Sequence, residues 1–267
     1  MNTETIGKQF ARMGARFRVV HQPPSRWGVS GEYALDIGTD RDGQVFELRL
    51  PPASPPVLEV EVLNVQRHDR HLVLLVKNPQ RKDRFLCGHD EREWFVAAVP
   101  RRVTTVAQAK ESLKPGAVRF AEDRAGLRAK ERARRHNAAS IRQGEWFFIP
   151  RPDMSVAKAH IRQNEPIRRG GGKPHLVSEL YRTGGEMVHV CSRHPNGVTP
   201  AQYNALLARE PKAKAWGWTV MRRNPGVYAR GTVRHRDHAT ITLPFWHQVL
   251  MNTESESPTM RNLAFLD

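Results

Sequence analysis

Ile6, Phe10, Met13 and Phe17 recur at spacings of three and four, while Lys8, Arg12 and Arg16 fall on other faces. That period predicts an N-terminal amphipathic helix with a basic exposed face. From Tyr33 to about Val99 the pattern shortens into β-rich runs at 32–37, 44–50, 58–65, 71–76, 84–87 and 93–99. Turn residues separate the runs, so they predict an antiparallel sheet. Prolines between 51 and 56 cannot donate ladder hydrogen bonds and mark a connection, and 78–83 is a polar hairpin turn.

Thr105 with Gln108 three residues on fits a capping box, and Pro115 with Gly116 ends the helix it opens. The first domain therefore spans 1–115. A middle segment, 116–173, holds an Ala, Arg, Lys and Glu-rich stretch over 120–139 that predicts a shallowly packed helix, a short strand at 145–149, and a linker with three glycines. From Pro174 a helix is expected to about Tyr181, then a strand over 187–191 and a helix capped by Thr199 with Pro200 in its first turn. A strand at 216–221, a turn at Asn224, Pro225 and Gly226, and runs at 228–235, 240–243 and 246–250 close a lobe of 174–251, followed by a polar tail of 252–267. The fold class is α+β: an N-terminal helix and antiparallel sheet, then a basic helix and a smaller mixed α+β lobe.

Charge changes the functional picture. Against 27 Asp and Glu stand 43 Lys and Arg, a net +16 over 267 residues. Such an excess concentrates polyanions, and nucleic acid is the commonest polyanion in the cell interior. Only Cys87 and Cys191 are present, which excludes a disulfide framework and a four-cysteine zinc site. The longest apolar runs, 72–76 and 94–99, fall far short of a bilayer span, and the polar N-terminus does not read as a signal peptide. A cytoplasmic protein without membrane contact is the expectation.

Two basic elements stand out. Between 117 and 142, eight basic residues face three acidic ones. On a continuous helix Arg124, Arg128, Arg132 and Arg135 would form a guanidinium stripe about 16 Å long, able to track phosphates. The second, Arg168, Arg169, three glycines and Lys173, would make an anion nest at a helix start beside Pro174. It lacks the spacing and the Ser or Thr of a nucleotide-hydrolysing phosphate loop.

Twelve histidines raise the question of a metal. Cys87, His89, Asp90, Glu91 and Glu93 crowd one turn, near His68 and His71. In the closing meander His235, Asp237 and His238 share a turn to which His247 could return, giving four candidate ligands for a divalent metal ion; no other cofactor is indicated by a motif. Neither cluster carries a metalloprotease or deaminase signature. Trp216 and Trp218 alternate onto one face beside Arg222 and Arg223, a pattern of core strands that also suits base stacking. The leading expectation is nucleic-acid binding, with RNA preferred over DNA because Arg-rich and Arg-Gly segments suit irregular shapes. The alternatives are a metal-dependent nuclease using the His/Asp cluster, and a basic scaffold subunit docking an acidic protein partner.

Overall fold

A computed structural model describes residues 2–21, 33–52, 57–169 and 173–256. The chain is a strand-rich α+β protein with several antiparallel sheets, and the described residues form two compact units, 2–116 with 252–256, and 117–251. Among them no helix is long and apolar enough to cross a membrane.

The first unit opens with helix α1 (Thr3–Ala11), whose Ile6 and Phe10 are buried and whose first turn is capped by Asn2. Strands β1 (Phe17–His21), β2 (Ala34–Asp40) and β3 (Gly43–Leu50) form one sheet, β1 lying parallel to β3 and β2 antiparallel to it. A four-stranded antiparallel meander follows: β4 (Glu59–Gln66), β5 (His71–Lys77), β6 (Lys82–Asp90) and β7 (Glu93–Val99). One face of the meander shares a core with α1 and the first sheet through Phe10, Phe46, Leu48, Leu72, Leu74 and Cys87. The other packs Val73, Leu86 and Ala97 against Val106 and Ala109 of helix α2 (Val106–Ser112). Residues 71–76 of β5 are buried on both faces, which is why this strand reads as an unbroken apolar run instead of an alternation. Thr105 and Gln108 form the predicted capping box. The chain returns to this unit at its end, where the Glu254 carboxylate accepts the Ala98 N–H of β7.

The second unit corrects three expectations. The basic stretch is not one helix. It splits into α3 (Gly116–Arg124) and α4 (Ala129–Arg132). Gly126 takes φ +61°, and the N–H groups of Gly126 and Leu127 return to the carbonyls of Asp123 and Glu122, a Schellman end that stops α3. The Arg124, Arg128, Arg132 and Arg135 stripe is therefore interrupted.

Residues after Pro174 form a strand, not a helix. β11 (His175–Thr183) is the second strand of a six-stranded antiparallel sheet ordered β10-β11-β15-β16-β9-β8, with β8 (Ile141–Gln143), β9 (Trp146–Pro150), β10 (Arg162–Ile167), β15 (Gly226–Arg234) and β16 (Ile241–Met251). Its register on β15 shifts between Val177 and Glu179, so the buried positions run His175, Val177, Leu180. The three-residue gap mimics a helical period.

The two expected C-terminal runs are a single strand, β16, that carries Pro244 inside it. Its pairing passes from Ala229↔His247 to Gly231↔Leu243, a bulge that leaves Pro244 without a ladder bond to donate. Beyond the sheet the β11/β15 ribbon continues, with a kink at Gly184 and Gly185, into β12 (Glu186–Cys191) and β14 (Thr219–Arg223). β13 (His194–Val198) and helix α5 (Pro200–Arg209) complete this end, α5 opening on a Thr199–Gln202 capping box.

Candidate nucleic-acid interface and histidine cluster

On the β12/β14 ribbon, Met187 lies opposite Arg222 and His189 opposite Val220, and directly opposed residues share a face. That face borders a groove of about 1030 Å³, lined by His160, Arg162, Tyr181, Met187, Val220 and Arg222 among others. Met187 is 50% and Val220 56% exposed, two large apolar side chains on the same face. His160 stacks on Tyr181 at 6.3 Å between ring centroids, with their planes 10° apart.

From His189 the face runs into a series of half-exposed rings. Tyr203 of α5 stacks on His189 at 4.0 Å and 9°. Trp218 meets Tyr203 edge-on at 5.0 Å, and His194 stacks on Trp218 at 5.5 Å and 15°. Trp216 stacks on Trp218 at 6.1 Å, and the exposed Arg193 guanidinium lies 4.2 Å from the centre of Trp216. The indole N–H of Trp218 donates to the Ala213 carbonyl at 2.7 Å, which fixes that ring. Few residues at this end of the unit are buried: Val188, Cys191 and Ala213. Trp216 and Trp218 follow the 3-10 turn Pro211–Ala215, ahead of β14, so their alternation arises in an irregular segment.

The basic residues sit in mixed surroundings. Arg124, Arg128 and Arg168 are exposed, whereas Arg132 donates to Asp123 at 2.6 Å and Arg135 and Arg169 are half-buried. Lys173 donates to the Asp237 carboxylate at 2.6 Å. The nest expected at the three glycines 170–172 lies outside the described residues.

At the end of the six-stranded sheet three histidines converge. β11 begins at His175, β15 ends just before His235, and His238 follows in the next loop. One nitrogen from each lies within 4.8 Å of the others. The rings are nearly parallel, with His175 to His235 centroids 4.1 Å apart and His235 to His238 4.6 Å. His175 is 1% exposed, and burial followed by the charges of His235 and His238 pushes its pKa down to about 3. His235 is also lowered, first by burial and then by His238 and Lys173, against the opposing pull of Asp237. For Asp237, burial raises the carboxyl, but the Lys173 ammonium outweighs it and holds the carboxyl below its ordinary range. The Asp237 N–H donates to His235 Nδ1 at 3.1 Å.

Of the four candidate metal ligands, the structure joins His235 and His238. It places the Asp237 carboxylate on Lys173, and it carries His247 elsewhere. His247 pairs with Ala229, six residues along β16 from Ile241, roughly 20 Å of strand. It is buried there with Nδ1 2.8 Å from the Phe245 carbonyl. The third histidine, His175, lies where the pattern after Pro174 predicts a helix; the alternation of buried His175 and Val177 is the local sign of the strand that brings it there. In the first unit, Cys87 is a core residue whose thiol is pushed up by burial, and His89 packs edge-on to Trp94. Comparisons of the chain with protein-family models, curated proteins and solved structures return no match.

Proposed function

We propose that the protein binds single-stranded nucleic acid, RNA before DNA, along the β12/β14 face. The observation that carries this reading is the stack of Arg193 on Trp216, continued through His194 and Trp218, on a half-exposed surface. Unstacked bases present π-faces of any sequence, and aromatic rings interleaved with cations bind them without needing base-edge contacts. The adjoining groove adds Arg162, Arg222 and the stacked His160 and Tyr181 pair beside exposed Met187 and Val220. A duplex would bury its bases away from such a face, so single strands are the matching ligand.

The test is a tryptophan-fluorescence titration with a mixed-sequence single-stranded RNA of about 12 nucleotides, repeated with DNA of the same sequence. Trp216→Ala should weaken binding by about 5- to 150-fold, the range of one lost base stack at about 1–3 kcal/mol. Wild-type affinity in both Trp216→Ala and Arg193→Ala would remove this face from the interface. Equal binding of polyglutamate by wild type and Trp216→Ala would instead favour an acidic protein as the partner.

A further inference from the structure

We propose that His175, His235 and His238 together bind one divalent transition-metal ion of the zinc class. The ligand atoms lie within 4.8 Å of one another. A tetrahedral centre with metal–nitrogen bonds of about 2.0–2.1 Å needs them about 3.4 Å apart. The stacked rings must also turn so that their in-plane lone pairs meet, and both the turn and the remaining contraction fall on His235 and His238, which are half-exposed at the end of β15 and in the loop after it.

An independent observation comes from His175. It is 1% exposed, yet both its ring nitrogens lack a hydrogen-bond partner. A neutral imidazole carries one donor and one acceptor, and buried polar groups are ordinarily paired. A metal ion satisfies the lone pair that the protein leaves unmatched. Space is kept for it by Gly144, in the turn between β8 and β9. A Cβ there would come 2.8 Å from His238 Nε2 and 3.4 Å from His175 Nε2, so both atoms converge over a position where any side chain would intrude. Next to it, Gln143 donates through Nε2 to the carbonyls of Val233 and Ala239 at 3.2 and 2.6 Å, pinning both ends of the loop that bears His235 and His238.

Three imidazoles favour zinc, cobalt, nickel or copper over magnesium and calcium, which prefer oxygen. Three protein ligands also leave a fourth position open to water or another small donor, the arrangement of reactive zinc sites more than of closed structural ones. The Asp237 N–H occupies His235 Nδ1, so loading changes the bond between that ring and that amide.

The experiment uses the full chain without a histidine tag, stripped with a chelator and then titrated with Zn²⁺ and with Co²⁺. Elemental analysis should find one ion per chain. Co²⁺ should develop visible bands of a four- or five-coordinate nitrogen site, and the Asp237 amide resonance should shift on Zn²⁺ addition. His235→Gln and His238→Gln, both at half-exposed positions that can be checked for folding by circular dichroism, should each weaken binding at least 10-fold. Gly144→Ala provides a variant that keeps every histidine and should also weaken it, while His247→Gln should not. Failure of the wild-type chain to take up either metal overturns the proposal, as does retention of full affinity in both His235→Gln and His238→Gln. No nucleic acid enters this measurement, so its outcome is independent of the RNA-binding reading.

Discussion

Gly144 and His238 meet so closely that a methyl group on the glycine would lie 2.8 Å from Nε2 of the ring, and Gly144 also holds φ +59°. Gly126 shares the left-handed conformation, at φ +61°, but has nothing within 4 Å of its absent Cβ. Comparing the two separates conformation from crowding. Gly126→Ala should cost about 1 kcal/mol, the price of a left-handed non-glycine residue. Gly144→Ala should cost more, about 2–3 kcal/mol, because His238 has to move as well. Urea unfolding of each variant measures the difference, and equal costs would show that the ring gives way freely.

What the sequence makes legible divides along the two units. In the first, the runs that form the four-stranded meander are legible: 93–99 and β7 have the same bounds, and Thr105 marks the start of α2. The rest is corrected: α1 ends at Ala11, Phe17 belongs to β1 and not to the helix, and the one expected antiparallel sheet is two sheets. The parallel pairing of β1 with β3 has no local signal, since it joins Phe17 to Phe46 across a long connection. In the second unit, bulges disturb the period. The register shift beside Ser178 makes Val177 and Leu180 look helical, and Pro244 divides β16 in two on paper. Gly126 was a readable stop for α3, outweighed by the helix-forming composition around it. The histidine cluster was half legible. His235 and His238 share a loop, but His175 joins them only because β11 pairs with β15, a partnership about 60 residues apart in sequence.

Acid should weaken the first unit through Glu47. Burial alone raises this carboxyl, but hydrogen bonds from Arg18 and Arg49 outweigh it and hold the carboxyl below its ordinary range. A carboxyl depressed in the folded state stabilises above its unfolded value, about 4.3, and that contribution is lost as pH falls through the folded value. Glu47→Gln should therefore cost about 1–3 kcal/mol at pH 7, because the carboxylate that takes a forked pair of bonds from each of Arg18 and Arg49 loses its charge and one of its two accepting oxygens. The gap to wild type should close toward pH 3. Urea midpoints at pH 7, 5 and 3 give the comparison, and a gap constant across that range would contradict the assignment.

The capping box of α5 supports the ring stack, because α5 carries Tyr203 onto His189. Thr199 accepts the Gln202 N–H at 3.2 Å, and Gln202 accepts the Thr199 N–H at 2.9 Å. Thr199→Ala should destabilise by about 1 kcal/mol. Hydrogen exchange should be faster in the first turn of α5 and unchanged in the first unit. Protection unaltered in α5 would mean that packing alone holds the helix.

Salt dependence tests which arginines reach phosphate. Arg124 and Arg128 are exposed on either side of the break at Gly126, whereas Arg132 is committed to Asp123 at 2.6 Å with its side chain 23% exposed. If the α3–α4 segment lies along the bound strand, the exposed Arg124 and Arg128 exchange counterions for phosphates more readily than the half-buried Arg132, even though Arg128 lies 3.7 Å from Glu131. Each such contact contributes about 0.7 to the log–log slope on a single strand. Replacing Arg124 and Arg128 together by Gln should flatten the slope by about 1.4. Arg132→Gln should leave the slope as it is, since its charge is already met within the protein, and should instead loosen the turn that it spans through the Leu127 carbonyl. Affinity measured from about 50 to 300 mM salt resolves the two. A slope unchanged in the double variant would remove Arg124 and Arg128 from the interface. A slope flattened by Arg132→Gln alone would mean that the Asp123 pair opens when nucleic acid binds.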